Sequence, residues 1–177
     1  METFLEILKF TIPSMIMLLG VYLIINKIYK QEDDRRKFEL YKLNKDVVLP
    51  VRLRAYERIA LFLQRTTPES ILTRFDFNGL TVLQLQQMLH HAVRDEFEHN
   101  VSQQIYISKE CWALVLTAKE SIIQLINTCA AQLKPEDDAM ALAQMLLNTY
   151  AANDNTPTEI AMNRLTQEII QLVQAFS

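Results

Sequence analysis

The stretch from Phe4 to Ile25, FLEILKFTIPSMIMLLGVYLII, constrains this chain more than any other. From Phe10 to Ile25 it runs sixteen residues without a charge. That is about 24 Å of helix, short of the roughly 30 Å of a hydrocarbon core. Phe4, Leu5, Ile7 and Leu8 add the missing turn, and Glu6 and Lys9 stand three apart on one face, where they pair or snorkel to the interface. Pro13 removes one backbone bond near the outer end, which membrane helices tolerate. The residues closing the run are bulky, so the small-residue pattern of a signal-peptide cleavage site is missing and the segment reads as an uncleaved anchor. Lys27, Lys30, Arg35, Arg36, Lys37, Lys42 and Lys45 follow it, against Lys9 before it. This excess orients the N-terminus outward and the remainder toward the cytoplasm, giving a single-pass protein of the inner membrane.

Two glycines and five prolines in 177 residues leave little material for hairpins or a Gly-rich phosphate loop. The helix formers that replace them predict an all-α protein: a transmembrane helix (1–26), a charged juxtamembrane helix or stalk (27–48), and a cytoplasmic antiparallel helical bundle (49–177). Charge is unevenly divided. Lys27 to Arg58 carries ten Lys/Arg against six Asp/Glu, net +4, and Ile59 to Ser177 seven against thirteen, net −6. Lys27, Lys30, Arg35, Arg36 and Lys37 are expected to attract anionic lipid headgroups, by roughly 1 kcal/mol per residue at the surface. The acidic remainder argues against nucleic acid as a partner. Cys111 and Cys129 lie eighteen apart in one expected helix. About 27 Å of rise then separates them, so they read as reduced core thiols and not as a disulfide.

Along the bundle, Pro50 marks a break, and VRLRAYERIALFLQR reads as the first core helix, with Val51, Ala55, Ile59, Phe62 and Leu63 inward. Thr67-Pro68 opens a short helix ending near Phe75, and Asn78-Gly79 closes the turn. Thr81 with Gln84 forms a capping box starting a helix to about Tyr106. Ser108 caps Lys109 to Leu133, and Pro135 with three acids opens a helix to Ala152. Thr156-Pro157-Thr158-Glu159 starts the last helix, where Ala161, Leu165, Ile169, Leu172 and Phe176 form a core or oligomer seam.

Glu96 falls inside the apolar arc set by Leu85, Met88, Leu89, Ala92 and Val93, and Asn100 and Gln103 continue it. A buried carboxylate needs a partner. Arg52 lies at the angle of Ile59 and Leu63, and Arg58 at its edge. The expectation is a register-setting ion pair of Glu96 with Arg52 or Arg58, completed by Asn100 and Gln103. Glu96 to His99 also contains an E-x-x-H step like those of di-metal bundles, but the three histidines all lie within ten residues, so the second motif is missing. His91, Asp95 and His99 at i, i+4 and i+8 are candidate Zn²⁺ ligands that point to the flank and lack a fourth ligand. No catalytic residue or cofactor is assigned.

The stretches RLRAYERIALFLQRTTPESIL and RDEFEHNVSQQIYISKECWALVLTAKESIIQLIN resemble an uncharacterised family of single-span membrane proteins from Bacteroidota, a domain of unknown function. The resemblance runs from about Arg52 to the last helix and is most specific over Arg54–Arg58 and Glu96–Tyr106. It implies the anchor and the cytoplasmic domain, and supplies no activity or catalytic residue. The leading expectation is a non-enzymatic scaffold or interaction module for protein partners or for its own copies. The alternative is an accessory or regulatory subunit of a membrane enzyme or transporter, with Glu96, His99 and Asn100 at an interface.

Overall fold

The structure, a computed structural model, describes residues 2–175, with side chains described for 15–43 and 45–174. Its contacts divide the chain into Met1–Leu49 and Pro50–Ser177. In the first unit, α1 (Glu2–Leu43) runs into a π-helical turn, Asn44–Val48. Pro50, expected to break the chain, instead sits second in α2 (Leu49–Arg65). Residues 26–43 continue α1 as helix, with exposed pairs Arg35–Glu39 at 3.1 Å and Arg36–Glu32 at 3.5 Å. Among the described residues no helix is long and apolar enough to cross a membrane. The side chains of residues 4–14, half of the expected span, lie outside the described ones.

The second unit is built from caps that the chain carries locally. Thr67 caps α3 (Pro68–Leu72), accepting from the Ser70 N–H. Thr81 and Gln84 close a reciprocal box at the start of α4 (Val82–Glu98), at 3.0 and 3.3 Å. Ser108 caps α5 (Lys109–Ala130) through the Cys111 N–H at 3.0 Å. Thr156 and Glu159 exchange bonds of 3.1 and 3.3 Å at the start of α7 (Pro157–Ala175). α6 (Ala139–Ala151) begins later than Pro135, with Asp138 as its cap. Residues 135–138 are held as a turn because Asp137 accepts from the Lys134 N–H, and because the carbonyls of Pro135 and Asp137 accept from Leu83 and Val82 at 3.2 and 2.9 Å. Ala139 returns a bond to Leu80 at 3.0 Å, forming an isolated antiparallel bridge, Thr81 to Asp138.

Leu85, Leu89, Val93, Ile122, Ile126, Leu142 and Leu146 fill the core shared by α4, α5 and α6. Gln86, early in α4, bonds Asn127, late in α5, so these helices run antiparallel. The Phe97 ring stands edge-on to Phe62 at 5.8 Å and stacks on Trp112 at 5.6 Å, bringing in α2. Val51, expected inside, is exposed, and Tyr56 is buried in its place. The seam residue Phe176 lies outside the described residues. Thr81→Ala removes one arm of the capping box and is expected to cost about 1 kcal/mol in urea unfolding, with Thr81→Ser close to wild type. An unchanged midpoint for the alanine variant would contradict that role for the cap.

Candidate functional site

The buried carboxylate of the bundle is Glu168, not Glu96. On α7 the spacing Ala161, Leu165, Glu168, Leu172 keeps one face inward, and Glu168 is 8% exposed. Its Oε2 accepts from the Tyr56 hydroxyl and the Ser108 N–H, each at 3.3 Å. Its Oε1 accepts from the Ser108 hydroxyl and faces Arg164 Nε at 3.5 Å. Arg52 donates to the Tyr56 hydroxyl and, from Nε, to the Tyr106 carbonyl, both at 3.2 Å. Burial raises the pKa of Tyr56, with Arg52 pulling it down and Glu168 pushing it up. The network joins α2, α5 and α7 and satisfies every oxygen of the carboxylate, as a buried charge requires.

Glu96 is bound by other arginines than expected. Arg65 reaches Oε1 at 3.3 Å and Arg74 reaches Oε2 at 3.6 Å, while Arg52 is engaged with Tyr56 and Tyr106, and Arg58 is exposed. The reason lies in the end of α4, where Phe97 takes the inward position and Glu96 turns to the rim. Asn100, 7% exposed, donates from Nδ2 to the Glu96 carbonyl at 2.8 Å. That bond competes with helix continuation, so α4 stops at Glu98 and a 3₁₀ turn, Val101–Ile105, replaces the helix expected to Tyr106. A 3₁₀ turn advances about 120° per residue, which carries Gln103 off the inner face; its Nε2 donates to Ser102.

Two adjoining grooves result. One, about 430 Å³, is lined by Arg54, Glu57, Arg58, Leu61, Arg65, Glu96 and Asn100. The other, about 410 Å³, shares Arg54 and Arg58 with it and is closed by Ser102, Gln103 and Tyr106. Sequence reasoning placed Arg58, Glu96, Asn100 and Gln103 together, and they do gather at these grooves, as their rim and not as a core network. Arg54 and Arg65 were missed, although Arg54 and Arg58 are one turn apart on α2.

Among the described residues no three of His, Cys, Asp or Glu gather where a metal ion would sit. His99, capping α4, donates from Nδ1 to the Asp95 carbonyl at 2.6 Å, and His91 and Asp95 are exposed. His91 shares a groove with His90 and Arg94, whose charge opposes a cation there. Burial and then Arg94 lower the pKa of His90. Cys111 and Cys129 are free and buried, and burial pushes the Cys111 thiol up to about 11, with Glu168 adding to it.

Glu168→Leu leaves Tyr56, Ser108 and Arg164 without their acceptor and is expected to cost about 3 kcal/mol, against about 1 for Glu96→Ala, whose partner Arg65 is half-exposed. Equal losses in thermal unfolding would refute this ranking. The folded chain holds the Cys111 proton to about pH 11, whereas an ordinary thiol releases it near 9.0. The unfolded state therefore binds fewer protons in this window, and stability falls as pH rises from 9 to 11. Urea unfolding across that range should give a shallower pH dependence for Cys111→Ala, and an unaltered slope would count against it.

No curated protein and no solved structure matches the chain. The profile of one family of unknown function covers nearly all of it, from the first turn of α1 into the last turns of α7. The chain belongs to that family, DUF7935, which matches residues 2–172.

Proposed function

We propose that the chain is a single-span protein of the inner membrane, as its resemblance to Bacteroidota membrane proteins implies, with its helical body in the cytoplasm as a scaffold or protein-interaction module. The observation that carries this reading is the outward exposure of Met15, Ile16, Met17, Leu18, Leu19 and Val21 through Ile25, each between 44% and 74% exposed. These ten residues, with Gly20 between them, cover every side of a helix over about three turns, and a helix apolar on all sides is stable only in apolar surroundings. Residues 10–14, also uncharged, extend the run toward the length a bilayer needs. Lys27, Lys30, Arg35, Arg36 and Lys37 then meet the headgroups; Arg35 and Arg36 exchange their helical glutamate partners at little cost, since exposed pairs are worth about 1 kcal/mol or less.

Protein partners or further copies of the chain find apolar surface at Leu116, Ile160 and Ile170, which are 37%, 45% and 52% exposed. The groove beside Glu96 and Asn100 favours a second reading, an accessory or regulatory subunit of a membrane enzyme or transporter. Membrane fractions washed in alkaline carbonate should retain the chain, and a C-terminal reporter active only in the cytoplasm should be active. Release into the wash, or a reporter active only outside, would remove the anchor from the proposal. Crosslinking in the native membrane separates the two roles by identifying the neighbours.

A further inference from the structure

We propose that the arginine-lined cleft between α2 and the end of α4 binds a phosphate group, carried on a small phosphomonoester or on a lipid headgroup. Arg54 and Arg58 stand at i and i+4 on one face of α2, both exposed, and among the described residues no acidic side chain pairs with either. Like charges at this spacing are unfavourable to the helix itself. Both line both grooves, so the two spaces of about 430 and 410 Å³ meet at these guanidinium groups. Each is of a size that takes a small ligand.

Glu96 does not neutralise them. Its two oxygens face Arg65 and Arg74 at 3.3 and 3.6 Å. Three guanidinium groups, those of Arg54, Arg58 and Arg65, line the cleft with two carboxylates, Glu57 and Glu96, leaving a surplus of one positive charge, and Arg54 and Arg58 face it without an acidic partner among the described residues. This surplus stands out in a chain whose net charge is −3. A phosphomonoester carries about −1.5 to −2 at neutral pH and presents three acceptor oxygens, enough to engage both unpaired guanidinium forks at once. Guanidinium forks suit the tetrahedral oxygens, and the opposite wall adds a neutral donor. Ser102 Oγ accepts from Gln103 Nε2 at 3.0 Å, which leaves the serine O–H to be donated into the groove. The site lies wholly within residues 51–106 and stands whether or not the chain is anchored.

The test uses the full chain in phosphatidylcholine nanodiscs, titrated calorimetrically with inorganic phosphate and with glycerol 3-phosphate. A second arm uses nanodiscs containing phosphatidic acid, read by the ³¹P resonance of its headgroup. Saturable binding of the soluble phosphates is expected, weakened about tenfold or more in R54Q/R58Q. R54K/R58K should recover part of it, because lysine keeps the charge without the fork. R94Q, in a different groove, should match wild type. Binding confined to the phosphatidic acid arm, and lost in R54Q/R58Q, identifies a headgroup as the source. Absence of binding in both arms overturns the proposal. So does binding that R54Q/R58Q leaves intact while circular dichroism shows native helix, or capture of an oligoglutamate peptide without any phosphate binding.

Discussion

The bundle depends on one carboxylate placed where a hydrocarbon side chain would ordinarily sit. Glu168 faces inward from α7, and its oxygens are met by the Tyr56 hydroxyl of α2, by both donors of Ser108 at the head of α5, and by Arg164 one turn away. A buried polar network adds little stability over an apolar cluster that replaces all of its members together, yet it penalises every arrangement in which one partner is lost or displaced. It therefore specifies the relation of three helices more sharply than their leucines can. Its reach extends further through Tyr56. Arg52, held on that hydroxyl, also grips the carbonyl of Tyr106 and so fixes the end of the 3₁₀ turn that closes the arginine-lined cleft.

The cleft is thus a by-product of how α4 ends. Phe97 is committed to Phe62 and Trp112, Asn100 turns its amide onto the Glu96 carbonyl, and the chain tightens before Ser108 can start the next helix. Arg54 and Arg58 are exposed on α2, and Ser102, Gln103 and Tyr106 of the tightened segment form the other wall of their groove.

Much of this could be read in the amino acids because its causes are local. The caps at Thr67, Thr81, Ser108 and Thr156 need only a hydroxyl and an N–H two or three residues on, and all four form. The inward faces of α4 and α5 follow from 3.6-residue periodicity alone. Sequence reasoning makes Glu96 the buried carboxylate, and does not single out Glu168, for a different reason. Both fall inside the apolar arc of their helix, and which one turns inward depends on side chains distant in sequence: Tyr56 and Ser108 for Glu168, Arg65 and Arg74 for Glu96. The spacing of Glu168, three after Leu165 and four before Leu172, was nevertheless a visible sign. The end of α4 was hidden because it turns on competition between the Asn100 side chain and its own backbone, which no periodic template contains.

The short backbone bridge at Thr81 and Asp138 has a consequence for how the body comes apart. Three bonds between residues 80–83 and 135–139 latch the α4–α5 hairpin shut at its open end. A protease nicking the exposed Asn153–Asn155 loop, where Asn155 holds a left-handed φ of 59°, would free α7 and withdraw Glu168 with it. The latched hairpin and α6 would keep their shared apolar interior, so the fragment left behind would open at the α2 side first.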